Sequence, residues 1–186
     1  MTDNTARRAT AQNKNRLIRT ITIRYTNLNS IIYMKQIAGI DSNNFKVLIV
    51  DDIPLNLILL EKMLMPYEFK IIKKNNGRQA LEYIQSTQDT PDSVDLAIVD
   101  LMMPDIDGYQ VIEDVRQGCH NDEFDINAKT KDELPIIILS AMNFNEDVQK
   151  GLSYGANQFL TKPIIMEQLY SSVTEELTKK VEASNG

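Results

Sequence analysis

Leu96-Ala97-Ile98-Val99-Asp100-Leu101-Met102-Met103-Pro104 is an apolar run that meets one carboxylate and breaks off at a proline. A short continuous apolar run is the pattern of a strand buried on both faces, as in a parallel sheet. A carboxylate at its last residue stands where open α/β sheets bind ligands, outside the carboxyl ends of the strands. Asp100 is therefore the first candidate for a functional residue.

Upstream, Lys46-Val47-Leu48-Ile49-Val50 has the same character and stops at the paired acids Asp51 and Asp52. Pro54 suits the first turn of a helix, where its missing N–H costs nothing, and Leu55, Ile58, Leu59, Lys62 and Met63 continue as an apolar face at helical spacing. That helix stops near Pro66. Phe69 to Ile72 reads as a second strand, and Asn75-Asn76-Gly77 turns into a helix over Arg78 to Gln85 with Ala80, Leu81 and Ile84 inward. Downstream of Asp100, Asp107-Gly108 turns into a helix over Tyr109 to Gln117, ended by Gly118. Cys119 to Leu134 is irregular, with Asp122, Glu123, Asp125, Asp132 and Glu133 against Lys129 and Lys131, and reads as an exposed acidic loop. The segment Gly118 to Leu134 is roughly ten residues longer than a compact connection needs. Pro135 to Leu139 is a further buried strand closed by Ser140-Ala141. A helix over Asn145 to Tyr154, a short strand over Gln158 to Thr161 and a terminal helix over Ile164 to Val181 complete the chain.

Five strands alternate with five helices. Alternation with short connections implies βαβ units, right-handed crossovers and a parallel sheet covered on both faces, which is a three-layer α/β sandwich. In such a sheet the groups at the strand ends converge: Asp51 and Asp52 after the first strand, Asp100 after the third, Ser140 after the fourth and Lys162 after the fifth.

The composition bounds the rest. At 186 residues and 42% apolar content the chain can bury one core with an appendage. Residues 1–44 carry seven Lys/Arg against two acids, while residues 45–186 carry 13 against 24. The first stretch reads as a basic extension, disordered at least over Met1 to Arg16, where burial cannot offset ordering entropy. Its Arg-rich, acid-poor composition also suits a transit peptide or a basic arm, and Leu17 to Met34 could be strand or helix edge. The acidic part, 45–186, is the folded domain, and its field disfavours nucleic acid. A single cysteine, Cys119, allows no internal disulfide and fits a reducing compartment. No apolar run approaches the roughly 18 residues of a membrane span. The reading is a soluble cytoplasmic protein.

Taken singly, the candidate residues have ordinary explanations. Asp51-Asp52 before Pro54 is an N-cap more often than a metal site, Lys162 a solvated lysine, Ser140 a turn residue, Phe159 core and His120 a loop residue. Together they ask for another account. Three carboxylates in one cleft repel one another unless a cation lies between them, and hard oxygen ligands that leave room for phosphate oxygens select Mg²⁺. A carboxylate can attack phosphorus, and the transferring group then needs fixed cationic and hydrogen-bonding partners, which Lys162 and Ser140 can supply.

From about Phe45 to Val181 the chain resembles the receiver domain of two-component response regulators. The resemblance rests on Val50-Asp51-Asp52, Asp100 with Met103-Pro104 and Asp107-Gly108, Ser140-Ala141, and Phe159 to Lys162-Pro163. It implies a flavodoxin-like doubly wound sheet in the order 2-1-3-4-5, with Asp100 as phosphoacceptor. It also implies Mg²⁺ on Asp52, Asp100 and the main-chain carbonyl of Met102, with Asp51 acting partly through water. Ser140 and Lys162 would bind the phosphoryl group, Phe159 would be the aromatic switch residue coupled to Ser140, and the Lys162-Pro163 peptide would be cis. Met102 and Met142 lie two residues beyond Asp100 and Ser140, positions that border the attacking water in the family. Apolar side chains there cannot orient water, so self-dephosphorylation should be slow.

The expected function is a signalling receiver, not an enzyme with external turnover. It would take a phosphoryl group from a histidine kinase or histidine phosphotransfer protein and act by switching or onward relay. Only Glu182 to Gly186 follows the last helix, so a stand-alone receiver without an output domain is expected. Ile53-Pro54-Leu55-Asn56 resembles receivers of hybrid kinases and favours the relay. Two other classes compete. One is a Mg²⁺ phosphohydrolase working through an aspartyl intermediate, which the Met102 position disfavours. The other is a pseudo-receiver binding module, which the intact set of acids, hydroxyl and lysine disfavours.

Overall fold

In strand β1 (Lys46–Val50) the four residues after Lys46 have no access to water, and the neighbours of the strand explain why. In this computed structural model, which describes residues 36–141 and 145–185, β1 is flanked by β2 (Lys70–Lys74) and β3 (Leu96–Asp100), both parallel to it. Strands β4 (Ile136–Ser140) and β5 (Gln158–Thr161) extend the same sheet. The order is β2-β1-β3-β4-β5 and every pairing is parallel, as the family resemblance implies. All five residues of β3 and of β4 are buried, which accounts for their unbroken apolar runs. Edge strand β2 has no fully buried residue and carries Lys70, Lys73 and Lys74, a common guard against edge-to-edge pairing.

Helices α1 (Pro54–Leu64), α2 (Gly77–Thr87), α3 (Gly108–Gln117), α4 (Asn145–Ser153) and α5 (Met166–Ser184) form the outer layers. Helices α1 and α5 share one face, where the Tyr170 hydroxyl donates to the Met63 carbonyl at 2.7 Å. On the other face Leu48, Val50, Val99 and Ile138 meet Ala80 and Leu81 of α2 and Val111 and Ile112 of α3 in one apolar core. Asn76 and Asp107 cap α2 and α3, accepting from the N–H groups of Gln79 at 2.8 Å and Gln110 at 2.9 Å. Among the described residues no helix is long and apolar enough to cross a membrane.

Three features differ from expectation. The buried face of α1 is Leu57, Leu60, Met63 and Leu64, whereas Leu55, Ile58 and Leu59 face outward, Leu55 with 71% of its surface exposed. The segment after α3 is no open loop. Cys119–His120 pairs with Asp125–Ile126 as an antiparallel hairpin, and Phe124, Ile126 and Leu134 are buried in the core. Gln85 and Gln88 of α2 fasten it: Gln85 Oε1 accepts from Asp125 N, and Gln88 bonds Asp125 O and Asn127 N. Finally, order begins ahead of Phe45. Gln36–Ile37 pairs with Ile40–Asp41, Ile37 is 1% exposed, and the Ser42 hydroxyl donates to the Tyr67 carbonyl. The reading of residues 1–35 as a disordered extension lies outside the described residues.

Candidate functional site

The carboxyl ends of β1, β3 and β5 place four charged side chains in one cleft. Asp51 directly follows β1 and is fully buried, so its carboxylate requires partners. It has them on every side. Oδ1 accepts from the Ile53 N–H at 2.9 Å, and the Asn56 amide reaches Oδ1 at 2.9 Å and Oδ2 at 3.0 Å. Lys162 Nζ lies 2.8 Å from Oδ2. The same ammonium stands 3.0 Å from Asp100 Oδ2, so one cation joins carboxylates from two strands. Asp51 is thus no simple cap: α1 has Ile53 at its N-cap position and no side-chain cap bond.

Burial raises the Asp100 carboxyl above its ordinary range; Lys162 pulls it back through hydrogen bond and charge, the Asp51 charge raises it, and the Met102 N–H lowers it. Lys162 is itself partly buried, which weakens its charge, but hydrogen bonds to Asp51 and Asp100 outweigh that and hold it above the usual lysine value. The site therefore keeps a permanent cation against its acids.

Asp52 stands beside this pair, half-buried. Asp51, Asp52 and Asp100 can each offer one carboxylate oxygen within 4.8 Å of the others. Such a set of hard oxygen donors fits Mg²⁺, which binds through few carboxylates and keeps positions open to other oxygens. Ser140 ends β4 fully buried, paired in register with Thr161, and its carbonyl accepts the Lys162 N–H at 2.7 Å. The Lys162–Pro163 peptide is cis. Phe159 is partly buried on β5 under α4: a Cβ on Gly151 would stand 3.2 Å from its ring. Met102 is 59% exposed, and Met142 lies outside the described residues.

Two residues of the site escape a reading of the sequence. Asn56 looks like any polar residue in a helix, yet its amide holds both oxygens of Asp51. Gly108 looks like a turn residue, yet it packs on the main chain of Asp100 and Leu101 with no room for a Cβ.

Comparison with known proteins matches the chain to one family. The family model described as response regulator receiver domain matches residues 47–174. The two-component response regulator ARR2 of Arabidopsis thaliana is 34% identical over 137 residues, covering 74% of this chain and 18% of the relative. The response regulator GtcR of Aneurinibacillus migulanus is 35% identical over 136 residues, covering 73% of this chain and 49% of the relative. The chain thus spans less than half the length of these relatives. Among solved structures, the receiver domain of the Francisella response regulator 1452 superposes with a TM-score of 0.59 at 26% identity, covering 72% of this chain and 97% of that one. The signal receiver domain of a Luxo repressor protein from Vibrio parahaemolyticus gives 0.62 at 26% identity, covering 75% and 94%.

Proposed function

The chain belongs to the response regulator receiver domain family, a family of signalling domains, and on that premise we propose that Asp100 accepts a phosphoryl group from a protein histidine. The observation that carries this reading is Lys162 Nζ held between Asp51 and Asp100, 2.8 Å from one carboxylate and 3.0 Å from the other. A cation so held is already beside the acceptor carboxylate, close to where negative charge develops on phosphoryl oxygens.

A carboxylate oxygen of Asp100 forms the new bond to phosphorus as the bond from phosphorus to the donor nitrogen breaks, and the released imidazole takes up a proton. Lys162 moves its charge from the free carboxylate towards the phosphoryl oxygens, and the Ser140 hydroxyl provides a hydrogen bond. Asp51, anchored by Ile53 N–H and Asn56, keeps the lysine aligned. When bound at Asp51, Asp52, Asp100 and the Met102 carbonyl, Mg²⁺ would neutralise charge between acceptor and donor. Phosphorylated Asp100 then favours a second arrangement through Ser140 and Phe159, read out at α4, β5 and α5.

The donor must reach the cleft, and an apolar strip begins one residue after Asp52. Ile53, Leu55, Ile58 and Leu59 are all exposed along α1, an arrangement suited to the apolar surface of a histidine phosphotransfer protein or histidine kinase. This favours a relay partner over small-molecule turnover, for which Met102 offers no proton.

The test is phosphorylation by a small acyl phosphate with Mg²⁺, comparing the natural protein with Asp100→Asn by intact mass, followed by transfer from histidine kinases. A mass gain of one phosphoryl group confined to the natural protein is expected. Equal labelling of both proteins, or labelling of neither, overturns the assignment.

A further inference from the structure

Among the described residues, the Tyr109 hydroxyl is the one buried side-chain polar atom with no hydrogen-bond partner. Tyr109 lies in the first turn of α3, next to Gly108. Its ring is 5.1 Å from that of Tyr154, just beyond α4, and Lys150 Nζ of α4 sits 4.2 Å above it. A cation and two rings therefore join α3 to α4.

The contact matters because α4 is thinly held. Of residues 146–153 only Gly151 is buried, whereas α1, α2, α3 and α5 each bury at least four residues. A helix with so few buried contacts opens or shifts most readily. The α3 side cannot yield, since Val111, Ile112 and Val115 are in the core and Gly108 is wedged on the Asp100 main chain. A buried hydroxyl without a partner penalises the arrangement that contains it. Burial pushes the Tyr109 hydroxyl up, and the charges of Asp147 on α4 and of Asp107 add to that.

We propose that Tyr109 and Lys150 set the switching balance of α4: the unpaired hydroxyl disfavours the resting placement of the helix, and the ammonium stacked on the same ring favours it. The inference rests on the reading of Asp100 as phosphoacceptor. Tyr109 is a positioning residue that acts through α4 and touches no reacting atom. Displacement of α4 opens the hydroxyl to water, so the switched arrangement is relieved of the penalty. A receiver that reaches its switched arrangement less often takes up phosphate more slowly.

Two variants test this in opposite directions. Tyr109→Phe should slow the initial phosphorylation of Asp100 by a small acyl phosphate about fivefold, with an unchanged or higher melting temperature. Lys150→Met should speed it and lower the melting temperature. Hydrogen exchange of α4 amides in the unphosphorylated protein should be slower in Tyr109→Phe and faster in Lys150→Met. A natural-sequence rate and exchange in Tyr109→Phe, or a lowered melting temperature there, overturns the inference. No phosphate uptake by the natural protein sinks the assignment of Asp100 instead, and the exchange measurement still decides whether the pair controls α4.

Discussion

Gly108 is wedged against the main chain of Asp100. A Cβ at Gly108 would collide with the Asp100 carbonyl oxygen and stand 2.8 Å from the Leu101 Cα. Both obstacles are backbone, so neither can swing aside. The Asp107-Gly108 turn thus fixes how closely α3 approaches the strand end that carries the candidate acceptor. Gly108→Ala should destabilise the protein by about 1–3 kcal/mol, as other overpacked sites do. It should also slow phosphorylation of Asp100, because the turn sets the approach of α3 to that strand end. Chemical denaturation and initial-rate measurements check both parts.

Asp52 gives a prediction about metal. In the absence of divalent cation, Asp52 stands beside two carboxylates that share one ammonium, so Asp52→Asn should raise the melting temperature by relieving repulsion. Mg²⁺ should stabilise the natural protein, by about 2.7 kcal/mol at a concentration 100 times its dissociation constant, and chelation should reverse this. Asp52→Asn should lose most of that gain. Thermal melts across a Mg²⁺ titration give the answer, and an equal gain in both proteins would remove Asp52 from the ligand set.

The hairpin after α3 tests how burial competes with composition. Phe124 is almost fully buried, so Phe124→Ala should cost about 3–5 kcal/mol, whereas a residue in an exposed loop would cost almost nothing. Urea denaturation separates the two outcomes.

That hairpin also shows which parts of the fold the sequence discloses. Strands β1, β3 and β4 are legible because a strand buried on both faces is apolar nearly throughout, and the acids that end β1 and β3 stand out against it. In the hairpin, Phe124 and Ile126 alternate with Glu123 and Asp125, a strand period that the count of acids conceals. For α1 the sequence is ambiguous. Leu55, Leu57, Ile58, Leu59, Leu60, Met63 and Leu64 lie all round the helix, so spacing alone cannot choose the face; packing on the sheet selects Leu57, Leu60, Met63 and Leu64. Asn56 is hidden for a different reason. Its role depends on the direction of one amide towards Asp51, which only the fold specifies.

Glu176 on α5 provides a pH dependence. It is nearly fully buried, and burial alone would raise its carboxyl; hydrogen bonds from Lys179, Gln158 and Asn157 outweigh this and hold it below the ordinary value of 4.5. Asn157 donates to it at 2.7 Å while its own carbonyl accepts from Arg116 and from the Ile136 N–H. A carboxyl lowered by folding adds stability that is present above its unfolded pKa and lost as pH falls through the folded one. Stability should therefore decline below about pH 4.5 more steeply in the natural protein than in Glu176→Gln, which should be less stable at pH 7. Parallel acid limbs in denaturation experiments would exclude Glu176 as a contributor.

Met102 bears on how long a phosphoryl group survives. Two residues past Asp100, Met102 is 59% exposed, and its N–H helps lower the Asp100 carboxyl. The resemblance to the family places this thioether beside the water that would attack phospho-Asp100, and a thioether neither accepts a proton nor fixes the water's orientation. Proton acceptance by a positioned side chain is commonly worth 10²–10⁴-fold, so Met102→Glu should shorten the lifetime of phospho-Asp100 by at least about tenfold. The acid also adds charge at the cleft and can slow phosphorylation; lifetime is therefore to be read from decay after the donor is removed. Met102→Leu, equally apolar, should leave the decay unchanged. A natural protein that loses its phosphoryl group within seconds, or a Met102→Glu variant that decays no faster, would show that this position does not limit hydrolysis.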